Sequence, residues 1–409
     1  MLVIVLNIIF LFISVWYSFC NPTIFVCLQI LYYTQFLGFI PTEILIGGVD
    51  YGSFLINIAI FLPLMLKGPF EKQTDKTTIY SILFITFFMF YGIIKPVFDG
   101  SQPLLMGIKA GKSFFSYILL FYLLIYRKSI YFERIFNFIL YVSLIFSILY
   151  VVNFVGIRLV PPLYEKGNFI QCKFDSFLAF SIAILVYKGM VEIHHRNRLI
   201  LITLLFLGIC LGGYFSLAAS SALILLFTPL YKKAYSFKDV VVLGIIFCCY
   251  LGVFYLIIQQ SDWYVELHNS QSNSLVSREK YNEFRWSLIN KQLYFGWGFL
   301  YKTMSVVKSV ASSGYRETFS FIDSGYVDLF GRFGIIGTFI FLLYPLYILL
   351  KSFGDKTLYP FAFFIIQFMC VNYTWSVFSF PMGISILSII YAFIITQTID
   401  KQEYEYETL

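Results

Sequence analysis

IYSILFITFFMFYGIIKPV, residues 79–97, decides the class of this protein. Its one charge, Lys95, stands near the end, and Phe, Ile, Leu and Tyr are spread round every face of the helix it would form. A helix apolar all round lies in lipid or in a deep core, and at 1.5 Å per residue this one reaches about as far as a bilayer's hydrocarbon, ~30 Å. The pattern recurs on both sides of it. Runs of the same kind fall at 2–19, 23–40, 51–66, 104–126 and 133–155, then at 173–190, 198–214, 216–231, 238–258, 333–351, 358–375 and 380–398. With residues 79–97 they predict an all-α polytopic membrane protein of about 11 to 13 transmembrane helices.

Composition excludes the alternatives. Of the 409 residues 59% are hydrophobic and 12% charged, against roughly a quarter charged in soluble domains, so no soluble fold could cover this much apolar surface. The net charge of +7 is scattered in short clusters between apolar runs, which argues against a nucleic-acid partner and for membrane lipid as the surroundings. The seven cysteines lie in or beside apolar runs without CxxC spacing and read as packing residues; His194 and His195 lack a third ligand, and no metal site is expected. Leu2 to Phe19 has neither a basic start nor an AxA-like cleavage site, so it reads as a membrane segment rather than a cleaved leader.

Orientation follows from the short basic loops: Lys67, Lys72 and Lys76; Arg127, Lys128 and Arg134; Lys188, Arg196 and Arg198; Lys232 and Lys233; Lys351 and Lys356. Positive loops face the cytoplasm, which puts Gln259 to Arg332 on the external face and the tail from Asp400 inside. Three regions result: a helix bundle over 1–258, an external loop over 259–332, and closing helices with a short tail over 333–409. Gly212, Gly213 and Ser216 would supply a tight turn or re-entrant bend between two adjoining runs.

The loop is where chemistry is expected, since a stretch of about seventy residues exceeds an idle connection. SREKYNEFRWSLINKQ, residues 277–292, reads as a helix capped by Ser277 and ended by Gly296 and Gly298. Arg278 and Arg285, two turns apart, fall within about 20° on one face, with Tyr281 and Asn282 between them. Two aligned guanidinium forks suit a phosphate or pyrophosphate; alternatively they pair with Glu279, Glu283 or lipid headgroups on a solvated helix.

FIDSGYVDLFGRFGIIG, residues 321–337, carries the chain back into the membrane, with Asp323 and Asp328 at the boundary and Arg332 one turn on. A carboxylate beside lipid can act as a general base; equally, Asp323 can cap the next helix and Arg332 anchor it at the interface. Lys109 and Lys112 in GIKAGKSFF, and Lys95, are costly at membrane depth and so either line a cavity or snorkel outward.

The Arg278 and Arg285 spacing, the Gly296-Trp297-Gly298 turn and then DSGYxxLxGRFGIIG resemble the O-antigen polymerase and ligase superfamily, over residues 277–337 at the level of motifs and elsewhere in hydropathy alone. That resemblance implies a bacterial inner-membrane glycosyltransferase of GT-C-like architecture, with one large periplasmic loop containing short helices. Its substrate would be an oligosaccharide on undecaprenyl pyrophosphate, and it would need neither metal nor other cofactor. Catalytic roles then fall on Arg278, Arg285 and Asp323, and substrate contacts on Tyr281, Asn282, Lys109, Lys112, Tyr326 and Arg332. Asp323 stands where ligases usually show His, which favours a polymerase over a ligase, while a flippase or transporter would give no reason for a large external loop; a polysaccharide chain-length regulator is a candidate partner. One departure is SLAASSALIL from Ser216, where many members carry a basic residue, a charge that Lys109, Lys112 or Arg332 would have to supply.

Overall fold

The computed structural model describes residues 2–34, 45–46, 49–50, 52–66, 71–154, 157, 164–166, 169–171, 175–191, 198–211, 217, 220–221, 224, 285–301, 325–373 and 375–407. In chain order the longer helices are α1 (Leu2–Cys20), α2 (Pro22–Tyr33), α3 (Gly52–Met65), α4 (Lys76–Phe98), α5 (Leu104–Ala110), α6 (Ile118–Ile125), α7 (Phe132–Phe154), α8 (Asp175–Val191), α9 (Arg198–Leu211), α10 (Gly325–Ser352), α11 (Tyr359–Val371) and α12 (Pro381–Glu407). Two small antiparallel hairpins interrupt them, β1 (Leu45–Ile46) with β2 (Val49–Asp50) and β3 (Tyr164–Lys166) with β4 (Phe169–Gln171).

The chain is a helical membrane protein. Lys76–Phe98, Phe132–Asn153, Gly325–Ser352 and Pro381–Lys401 are each long and apolar enough to cross a bilayer, and Leu104–Ala110 with Phe114–Ile125, bent by 66°, make a fifth if they form one span. The apolar helices within α1, α2, α8, α9 and α11 are shorter, at 10–17 residues. Two expected spans change shape. The run 104–126 is broken at Gly111–Ser113, and the helix expected at 333–351 already begins at Gly325, because the Gly-rich stretch before Arg332 stays helical. Most of the expected run 216–231, all of 238–258 and most of 259–332 lie outside the described residues.

Packing divides the chain into two compact units, one of Met1–Ile139, Asn282–Lys351 and Asn372–Leu409, the other of Leu140–Tyr281 and Ser352–Val371. In the first, α12 is the central element: 89% of its apolar window is buried, against α2, α6 and the 3-10 turn Phe114–Tyr117. Its buried Ser385, Ser388 and Thr396 are satisfied within the helix, each donating to the carbonyl one turn back at 2.7 Å. Helix α4 is peripheral, with 33% of its window buried. Its exposed Tyr80, Leu83, Phe87 and Phe90 recur at helical spacing, as do Phe339, Leu343, Leu346 and Leu350 on α10, and such apolar stripes are what lipid covers.

One end of this unit gathers the basic loops. Asp75 caps α4 by accepting from the Thr78 amide at 3.0 Å, and the buried Arg127 reaches across to pair with Asp75 and to donate to Thr78 Oγ1 at 3.1 Å. Burial pushes the Asp75 carboxyl up, but the hydrogen bonds from Thr78 and Arg127 outweigh it and hold the group below its ordinary value. Lys72 Nζ closes the end of α3 on the Leu64 carbonyl at 2.8 Å. The loops carrying Lys72 and Lys76 and carrying Arg127 and Lys128 therefore share one end, as the positive-inside reading requires.

In the second unit α8 packs on α9 and α11. Small residues bring the backbones close: a Cβ on Gly208 would meet Ser147 Oγ at 2.6 Å, and Ser181 donates to Ser143 at 2.7 Å. Gln367 donates to Ser221 at 2.9 Å.

Candidate functional site

The site is built on a defect in α10. At Gly334, φ is 66° and ψ −175°, a conformation that essentially glycine alone adopts, and the helix is interrupted there. An unbroken helix would bond the amides of Ile335 and Ile336 to the carbonyls of Gly331 and Arg332. Instead those four groups are taken up by an inserted segment. Trp297 N donates to Gly331 O at 2.9 Å and Gly298 N to Arg332 O at 2.8 Å, while Ile335 N donates to Leu293 O at 2.9 Å and Ile336 N to Tyr294 O at 3.2 Å. Non-helical backbone is tolerated at membrane depth only when its polar groups find such partners.

The insertion fits because side chains are missing where the backbones meet. A Cβ on Gly296 would lie 2.6 Å from the Arg332 carbonyl, and one on Gly298 2.5 Å from the Gly92 carbonyl of α4. Phe299 N donates to that carbonyl at 2.6 Å, and its ring lies over Gly92 and Gly111, each of which would bring a Cβ to 2.5 Å from it. Gln102, itself buried, clamps the strand by donating to Phe299 O and accepting from Tyr301 N at 3.0 Å. Tyr91 donates to Phe295 O. These contacts lie near the far end of α4, roughly 25 Å along the helix from Asp75, and so near the face opposite the basic loops.

Arg332 stands at the defect. Its Nε donates to Asp328 Oδ1 at 2.6 Å, and its guanidinium carbon lies 5.4 Å from the ring centroids of both Phe114 and Phe299. The side chains are 16% and 1% exposed, Arg332 and Asp328 respectively. A carboxylate on one edge and two aromatic rings fix the guanidinium in direction, while its terminal nitrogens, which make no hydrogen bond among the described residues, can donate to an anion.

Arg285 begins the described part of the predicted loop helix, residues 285–289, and is buried at 2% exposure. That helix is fastened to α10 by the Trp286 ring, 6.0 Å from Phe330, and by Trp297 Nε1, which donates to the Leu288 carbonyl at 2.8 Å. The helix then ends through the 3-10 turn Asn290–Gln292, with Gly296 at φ 67° and Gly298 at φ 71°, the residues expected to stop it. Trp297 thus ties the Arg285 helix to the carbonyl preceding Arg332.

The remaining expected residues divide. Tyr326 lies half-buried in the first turn of α10; Lys109 is half-buried in the last turn of α5, and Lys112 is exposed at the bend that follows, beside the glycine under the Phe299 ring. The two lysines are therefore at a break rather than in mid-span. Arg278, Tyr281, Asn282 and Asp323 lie outside the described residues. Gln102 and Asn372 carry no sequence signal, whereas the pairing of Asp328 with Arg332 leaves one in their i, i+4 spacing on a helix. No protein-family model and no curated protein sequence matches this chain.

Proposed function

We propose that this chain is a bacterial inner-membrane glycosyltransferase of eleven to thirteen spans that polymerises undecaprenyl-pyrophosphate-linked oligosaccharide repeat units into surface polysaccharide at the periplasmic face. The observation that carries the reading is Arg332: a guanidinium held by a buried carboxylate and two rings, at a helix break near the membrane face opposite the basic loops. An ionisable residue kept at membrane depth marks function by default, and a fixed guanidinium suits an anionic lipid head. Arg285, tied to the same break through Trp297, is the second donor, and Arg278, which the sequence spacing puts two turns earlier, is the third.

In this reading Arg332, Arg285 and Arg278 bind the donor's pyrophosphate, and Lys109 and Lys112 supply further positive charge. Asp323 accepts the proton as the acceptor hydroxyl oxygen bonds to the donor's anomeric carbon. The bond from that carbon to the phosphate oxygen breaks, and its electron pair leaves with the pyrophosphate. Negative charge grows on the leaving group, so each aimed donor is worth about 3–4 kcal/mol in the transition state. A broken helix is also how transporters expose backbone to a cargo. Here residues 293–298 already occupy the freed groups, which favours a transferase over a flippase.

The test is Arg332→Ala and Arg285→Ala in a strain lacking its polysaccharide polymerase. Long-chain ladders should disappear for both at normal protein levels; normal ladders would mean the assignment is wrong. Transfer of finished polymer to a lipid core, without ladder formation by the wild type, would identify a ligase instead.

A further inference from the structure

Three polar atoms on one side of the first half of α10 are buried and bonded to nothing among the described residues: Asp328 Oδ2, Asn372 Oδ1 and Asn372 Nδ2. The side chain of Asp328 is 1% exposed and Asn372 is 0% exposed. Asp328 Oδ1 is committed to Arg332. Asn372 sits against Gly325, where a Cβ would be 2.5 Å from its Cγ. Gly325 and Asp328 are one turn apart on the same face, so their Cβ positions are about 5–6 Å from each other. The amide and the carboxylate are therefore neighbours that do not bond one another.

Leaving such groups unpaired in a buried place costs about 1–3 kcal/mol each, and leucine at position 372 would avoid that cost. From this juxtaposition we infer that Asp328 and Asn372 form a carbohydrate-hydroxyl subsite that selects the acceptor sugar, an inference resting on the glycosyl-transfer reading above. The chemistry of the set specifies the ligand class. Asp328 Oδ2 only accepts, Asn372 Nδ2 only donates, and Asn372 Oδ1 only accepts. One hydroxyl can donate to the carboxylate while accepting from the amide, and a neighbouring hydroxyl can donate to the amide oxygen. A free anion is disfavoured by the carboxylate. A cation is disfavoured because Arg332 already neutralises Asp328. Paired hydroxyls with no charge are the signature of a sugar edge. Gly325 is required beside it, because any side chain there would fill the space Asn372 occupies.

The experiment uses the full chain in lipid nanodiscs and two probes: undecaprenyl pyrophosphate without sugar, and the lipid-linked oligosaccharide extracted from source cells lacking this chain. For Asn372→Leu the apparent KM for the extract should rise about thirtyfold, the worth of roughly two hydrogen bonds. Affinity for undecaprenyl pyrophosphate should stay unchanged and thermal stability should stay equal or increase. Asn372→Ala, which removes the same donor and acceptor without leucine's bulk, should give a comparable rise; it also serves if the leucine variant fails to fold. An unchanged KM in either folded variant would overturn the subsite and leave the polar atoms a structural role only. If the wild type neither binds undecaprenyl pyrophosphate nor extends the extract, the transferase reading falls, and the subsite falls with it.

Discussion

Gly296→Ala tests whether the inserted segment is held by backbone contact or only by glycine's freedom in φ, and the protein supplies its own control. Gly100, past the end of α4, has φ 65° and no described atom within 4 Å of where an alanine methyl would stand, whereas Gly296 has φ 67° with the Arg332 carbonyl 2.6 Å from that position. Left-handed backbone costs an alanine about 1–2 kcal/mol at either site. At Gly296 the methyl must also displace backbone that cannot rotate aside, an overpacking cost of about 1–3 kcal/mol. Gly100→Ala should therefore lose about 1–2 kcal/mol and Gly296→Ala about 2–5 kcal/mol. The upper part of the second range applies if the Trp297 and Gly298 hydrogen bonds to α10 are broken. Reversible unfolding in mixed micelles titrated with SDS, followed by tryptophan fluorescence, measures both. Equal losses at the two glycines would refute the close approach and with it the account of how the helix break is filled.

Gln102→Leu should cost about 2–4 kcal/mol in the same assay, because the buried Phe299 carbonyl and Tyr301 amide both lose their partner. Gly111→Ala and Phe299→Leu should each destabilise by about 1–3 kcal/mol, yet less than additively when combined, since the leucine vacates the volume that the new methyl needs; additive losses would show that the ring does not rest on Gly111. The Asp75 carboxyl is lowered in the folded state, so its contribution is present above the unfolded value, about 4, and is lost as pH falls through the folded one. Thermal stability should therefore drop on acidification below about pH 4, and Asp75→Asn should flatten that limb; an unaltered acid limb would argue against the pairing with Arg127.

Much of this was readable beforehand, for physical reasons that also mark where reading stops. The runs 79–97 and 133–155 become α4 and α7 almost unchanged, because an all-round apolar helix leaves only its ends to be settled. Gly296 and Gly298 end the loop helix as expected, since positive φ is a local property of the residue. The break in α10 could not be read the same way. GRFGIIG contains several glycines, and what selects Gly334 is the arrival of Leu293–Gly298, a partner some forty residues earlier in the chain. Arg332 was visible as a charge, but its neighbours Phe114 and Phe299 come from distant segments. Asn372 carried no signal, as it looks like any polar residue at the end of an apolar run.

The clamp on Phe299 has a consequence for biogenesis. The carbonyl of Gly92 and the side chain of Gln102 are made early in synthesis, yet their partners emerge some two hundred residues later. Until then both must be kept wet or shielded by an insertion factor. A chain halted before Phe299 would carry an open polar notch beside finished-looking helices, which only the late segment closes.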